Sequence, residues 1–266
     1  MTNSVDRTAK PAADVVRWQP VGAIDPDALA SARLQTINVV QWLARVANSF
    51  VNADSADERL MLTFQSGNAV FITKPFADDL ALELRLPQLE MQFREGGKPA
   101  PHVFDPEARS PAEAEAWLLV ELLHRGVDRT KFSKKLPYKV AGLMSGDAED
   151  YSPQSNLPAL TQMRDWLRNA AAVLDATARA SGDGIGILCW PQTLSLSIGS
   201  HIELARANVG FTPGDAQIAE PYFYRRLASA RGAAPSRARS VLKASALLGQ
   251  SDPAVAAIAF LSGAAG

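Results

Sequence analysis

The chain has 266 residues, 47% of them hydrophobic and 21% charged, enough apolar matter for one large core or two small ones and too much for a disordered chain. Its 27 Lys and Arg residues nearly balance 28 Asp and Glu, and a net charge of -1 supplies no overall field for nucleic acid or an anionic membrane. Cys189, the single cysteine, excludes an intrachain disulfide and suits a reducing compartment.

The first residues, "MTNSVDRTAKPAADVVRW", contain no apolar h-region and read as a flexible lead-in over 1–20. No apolar run approaches the ~18 residues of a spanning helix, so a cytoplasmic protein is expected. From Asp25-Pro26 to about Phe50 the signals are helical, with Asp as N-cap, Pro at the first position, and Leu34, Ile37, Val40, Trp42, Leu43 and Val46 in one apolar stripe. "LMLTF" (60–64) and "AVFIT" (69–73) flank Ser66-Gly67-Asn68, and a three-residue loop there sets Phe64 opposite Val70 and Leu62 opposite Ile72. "LALELRL" (80–86) and "LEMQF" (89–93) alternate like a half-wet antiparallel sheet. Residues 110–126 carry a full set of helix signals, from Ser110 and Pro111 to the stop at Gly126.

A connection over 131–156 separates this first half (21–130) from a second (157–266). The second opens with a helix over about 157–181. Strands follow at 185–190, 193–198 and about 201–207, then helices near 236–248 and 253–262. The expected fold is α+β, with two similar helix–antiparallel sheet–helix halves packed as one unit, helices covering one face of each sheet, and a candidate internal duplication.

Chemical motifs are sparse. His102, His124 and His201 lie far apart and form no HxH or HExxH pattern, and there is no Walker A loop, GxGxxG or GxSxG. "SGDGIG" (181–186) runs into an apolar strand, where a phosphate cradle would open a helix. No metal or other cofactor is therefore expected.

The densest punctuation in the chain is "NVGFTPGDAQIAEPYFY" (208–224). Gly210-Phe211-Thr212-Pro213-Gly214 followed by Glu220-Pro221-Tyr222-Phe223-Tyr224 resembles the GFxPG…EPxFY signature of a bacterial domain family of unknown function, number fifty-nine ninety-six. Cys189-Trp190 sits where that family has an aromatic-rich strand. The acidic and histidine positions of the family's other strands are missing from "LRLPQLEMQF" and "TLSLSI". The resemblance implies a shared fold and carries no activity.

Locally, Thr212–Asp215 fits a type II turn, Glu220 is held extended by Pro221, and Tyr222 and Tyr224 share a side opposite Phe223. The stretch reads either as a structural corner or as a ligand site, with Arg225 and Arg226 as counter-charges. A three-residue loop after Ile198 would put Ser195, Ser197 and Glu203 on one sheet face near His201, as a pocket wall or a solvated face. Cys189 beside Trp190 reads as a buried small hydrophobe. "KFSKK" (131–135) and Lys139 read as a solvated basic loop, so no nucleic-acid partner is expected.

Two functions remain open. The first is a non-catalytic module binding a small ligand or protein partner near residues 203–226, with Trp190, Ser195, Ser197, His201, Glu203, Glu220, Tyr222, Tyr224 and Arg225 as candidates. The alternative is a hydrolase or transferase using Glu203, Glu220, His201 or Tyr222 as acid or base.

Overall fold

Asp25 opens the first helix as expected: its carboxylate accepts the amide hydrogens of Asp27 and Ala28, and α1 (Pro26–Phe50) follows. The computed structural model describes residues 16–23, 25–180, 186–198, 209–226 and 239–263. After a short helix, α2 (Ala56–Leu60), a meander of five strands runs through β1 (Leu62–Gln65), β2 (Val70–Ile72), β3 (Leu80–Arg85), β4 (Glu90–Glu95) and β5 (Lys98–Phe104). Helix α3 (Pro111–His124) closes it, its N-terminus fixed by a reciprocal capping box between Ser110 and Glu113. The plan then recurs with α4 (Leu157–Ala180), β6 (Ile187–Trp190), β7 (Ser195–Ile198), β8 (Val209–Thr212), β9 (Tyr222–Arg226), β10 (Arg239–Lys243), α5 (Ala244–Leu248) and α6 (Pro253–Ser262).

The α+β class holds, but the strands form one antiparallel sheet of ten rather than a sheet for each half. Its order is β10-β9-β8-β7-β6-β1-β2-β3-β4-β5. The seam is the β1–β6 pair, where Leu62 opposes Cys189 and Thr63 opposes Leu188. Each half contributes the first strand of its meander there, so the seam looks alike from either side. Helix α1 lies against β3, α4 against β6 and β7, and the two helices pack on each other. One continuous core results, shared by Trp42, Leu43, Phe71, Leu82, Phe93, Trp166, Cys189, Leu196, Phe211 and Phe223. Truncating Phe223, fully buried at its centre, would cost about 3–5 kcal/mol.

Four expectations need correction. The β1–β2 register is shifted by one residue: Phe64 opposes Phe71 and Gln65 opposes Val70, around a four-residue turn in which Ala69 has φ +52°. Phe71 takes the helix side, while Val70 and Ile72 turn to the other face and bury against Ala81. Both faces of β2 are buried, so alternation could not choose between them. The far side of β3 is likewise not wet, for Glu83 is 1% exposed between Arg85 and Arg94.

Strand β5 was not expected beyond Gly96-Gly97; it carries Pro99 and Pro101 as an edge strand, where missing donors are tolerated. Residues 239–243, expected to be helical, form β10 on the backbone of β9, and helix begins only at Ala244. Sheet pairing overrode local propensity there. The expected strand at 201–207, with His201 and Glu203, lies outside the described residues, as does the loop proposed to set its register.

Candidate functional site

The segment 210–226 folds as two paired strands, β8 and β9, around a corner. Phe211 opposes Phe223 on the core side, with ring centroids 5.1 Å apart, and Gly210 and Thr212 oppose Tyr224 and Tyr222 on the other face. Gly214 has φ +108°, and a Cβ there would run into the Ala219 carbonyl and the Arg33 guanidinium. That guanidinium, on α1, donates to the Pro213 carbonyl at 3.2 Å. Asp215 accepts the amide hydrogens of Gln217 and Ile218, both at 2.8 Å, and the hydroxyl of fully buried Tyr222 at 2.6 Å. Gly210 is required by close approach, because a Cβ would overlap the Tyr224 phenol and the Leu196 carbonyl.

Glu220 turns to the start of α5. Its carboxylate accepts the Ser245 amide hydrogen at 2.7 Å and lies 3.8 Å from the Lys243 ammonium. The N-cap residue of that helix, Lys243, makes no side-chain cap of its own. Glu220 therefore caps a helix from a distance. Arg225 points the other way, its guanidinium against Gly263 at the end of α6. The geometry of this stretch is that of a structural corner.

Ser195 and Ser197 do share a face, opposite Trp190 and Leu188 respectively. Ser197 is buried beside Gly210, and the Ser195 hydroxyl accepts from Thr193 at 2.9 Å. Cys189 is fully buried and burial drives its thiol pKa far up, so it stays a protonated hydrophobe. Trp190 is half-exposed and leads elsewhere: its ring lies 6.1 Å from that of Tyr138.

Tyr138 belongs to the connection, which is pinned across α1 by side chains. Asn38 donates to the Gly142 carbonyl at 3.2 Å and accepts from the Met144 amide at 2.7 Å. Gln41 accepts the Tyr138 hydroxyl at 2.9 Å and donates to the Pro191 carbonyl at 2.9 Å. The Trp42 indole donates to the Tyr151 hydroxyl at 2.9 Å, Asn48 donates to the Lys135 carbonyl at 3.1 Å, and the Ser133 amide donates to Ser49 at 2.9 Å. From the β6–β7 turn, Gln192 donates to the Lys139 carbonyl at 3.0 Å. The basic loop read as merely solvated is thus a fixed strap, although its lysines remain exposed.

Arg45 lies in the middle of this stripe. It is 6% exposed, its guanidinium carbon is 4.3 Å from the Trp42 ring centroid, and its buried Nε has no hydrogen-bond partner. Burial lowers its pKa, against the opposing pull of Tyr151, Glu115 and Tyr138. Burial also raises the Tyr138 hydroxyl far above its ordinary value, with Cys189 adding to the shift and Arg45 opposing it.

The other buried charges are compensated. Glu83 receives Arg85 at 2.8 Å and Arg94 at 2.6 Å. Glu121 receives Arg125 at 2.6 Å on one oxygen, while His102 and His124 face the other at 3.1 and 3.9 Å. The fold thereby brings together two histidines that lie far apart in sequence. Among the described residues no three His, Cys, Asp or Glu side chains are grouped as a metal would require.

Two open clefts lie elsewhere, each with an ion pair on its rim. One of about 550 Å³ has Phe64, Ala171 and Ile187 in its walls and an Asp175–Arg179 ion pair at 2.5 Å. The other, about 380 Å³ beside Trp117, has an Arg109–Glu113 pair at 2.6 Å. No family model matches the chain, and no curated protein or solved structure matches it.

The sequence contained a signal for the strap site. Asn38, Gln41, Arg45 and Asn48 recur at helical spacing inside a segment that is otherwise apolar. Residues 38–47 of that helix are buried on all sides, and a polar stripe there demands polar partners from elsewhere in the chain.

Proposed function

We propose that the protein is a non-catalytic module that binds a small molecule at the junction of its two halves, where residues 131–144 cross α1 beside Trp190. The observation that carries this reading is Arg45. Of the three buried charged residues among those described, it alone makes no ion pair or hydrogen bond through its charged group with another described residue. Near it stand the aromatic side chains of Trp42, Tyr138 and Tyr151, the two tyrosines held to α1 by their own hydrogen bonds. Preorganised walls around a few convergent polar groups are typical of ligand sites.

This places the site away from residues 203–226, keeping Trp190 from the original candidates and giving Glu220 and Tyr222 structural duties. The likeness of GFTPG…EPYFY to the fifty-nine ninety-six family is then a likeness of conformation. The recurrence of helix, five strands and helix fits an internal duplication, with the ligand held beside the seam. Among the described residues no helix is long and apolar enough to cross a membrane, and a cytoplasmic location is part of the proposal.

A thermal-shift screen of neutral and charged fragments tests the reading, run on wild type and on Tyr138→Ala. At least one compound should stabilise wild type, with the gain lost in the variant. Hits that stabilise both proteins equally would place the site elsewhere.

A further inference from the structure

We infer that the junction of α1 with residues 131–144 takes an oxyanion, a carboxylate or phosphate group of a small molecule, with Arg45 as its anchor. The inference rests on the binding reading above and adds the chemistry of the ligand. Two buried donors at this place lack acceptors among the described residues. One is Nε of Arg45, buried and without a hydrogen-bond partner in a side chain that makes no ion pair there. The other is the hydroxyl hydrogen of Tyr151, a residue 1% exposed whose oxygen already accepts from Trp42 at 2.9 Å.

A guanidinium removed from water is costly unless an anion compensates it, and its planar fork matches two oxygens of a carboxylate or phosphate. The Trp42 face attracts the cation but leaves the buried Nε hydrogen without an acceptor. Glu115, the carboxylate that acts on Arg45, is held by Lys134 at 2.9 Å. The strap also carries Lys131, Lys135 and Lys139, exposed and without an ion pair among the described residues, so the surroundings are positive as well. Burial keeps Tyr151 protonated, as a donor must be, although its bond from Trp42 acts in the opposite direction.

The test uses the full chain in a Tris chloride buffer free of oxyanions. Inorganic phosphate, sodium benzoate and tetramethylammonium chloride are added separately at matched ionic strength, and melting temperature and calorimetric heat are recorded. Phosphate or benzoate should raise the melting temperature of wild type by about 3 °C at saturating concentration, and the arm that responds names the oxyanion. Tetramethylammonium should do nothing. Arg45→Met, which keeps the length of the side chain without its charge, should melt no lower than wild type in Tris and show no response to either anion. Tyr151→Phe should retain a response weakened severalfold.

Two results would overturn the inference: wild type responding to neither oxyanion, or Arg45→Met responding as wild type does. A neutral fragment that stabilises wild type and Arg45→Met alike, but not Tyr138→Ala, would overturn the oxyanion and leave the binding module standing.

Discussion

The Glu220 carboxylate accepts the Ser245 amide hydrogen at 2.7 Å, although the two residues lie on opposite ends of β9 and β10 in the chain. With Ala244 donating to the Pro221 carbonyl at 2.8 Å, this bond ties the corner to the first turn of α5. Glu220→Ala should therefore lower stability by about 1 kcal/mol, the usual loss of a helix cap, while leaving any ligand response unchanged. Urea unfolding of wild type and variant checks it. Glu220→Gln, which keeps an acceptor, should recover part of the loss.

Gly214 sets a second expectation. At φ +108° against the Ala219 carbonyl and Arg33, no side chain fits without moving backbone. Gly214→Ala should cost about 1–3 kcal/mol from the strained dihedral, read as a drop in the urea midpoint at unchanged slope. Gly210→Ala should also destabilise. Its companion change Tyr224→Phe should fail to rescue it, because the Leu196 carbonyl remains in the way.

Tyr222 donates to Asp215 from full burial. Tyr222→Phe should cost about 1.5–3 kcal/mol, the range for a hydrogen bond to a charged group. Asp215→Asn in the same background should add less than it costs alone, since the two residues share one interaction. A double-mutant cycle in urea measures the coupling.

Cys189 and Tyr138 make stability depend on alkaline pH. Both are held protonated by burial. In the unfolded chain the thiol ionises at ~8.5 and the phenol at ~10. The unfolded state therefore binds fewer protons than the folded state above those values, and stability must fall as pH rises through them. The Cys189 contribution should begin above pH ~8.5 with a slope approaching ~1.4 kcal/mol per pH unit. Cys189→Ala should remove that slope, measured as urea stability across pH 8 to 10. A thiol reagent should react with wild type only as it unfolds.

Much of the scaffold was legible because its signals are local. Asp25, Ser110 and the prolines after them mark helix starts, and the core side of β3 is written in Leu80, Leu82 and Leu84. The join of β1 to β6 was not, because residues more than a hundred positions apart meet there through backbone pairing that leaves no local signal. The corner was recognisable as a conformation from its glycines and prolines, yet the direction of Glu220 depends on where α5 packs. The strap site was obscured because Arg45 is one charge in a helix read for its apolar stripe. Its isolation emerges only once Glu83 and Glu121 are seen with their arginines.

The most direct test of the binding site is a ¹H–¹⁵N spectrum that follows the indole signals of the five tryptophans during titration with a fragment-screen hit. The indoles of Trp42 and Trp190 should shift together and saturate at one affinity, while those of Trp18, Trp117 and Trp166 hold still. Shifts confined to Trp166, whose ring stacks on Phe211 of the corner, would contradict the account and return the site to residues 210–226.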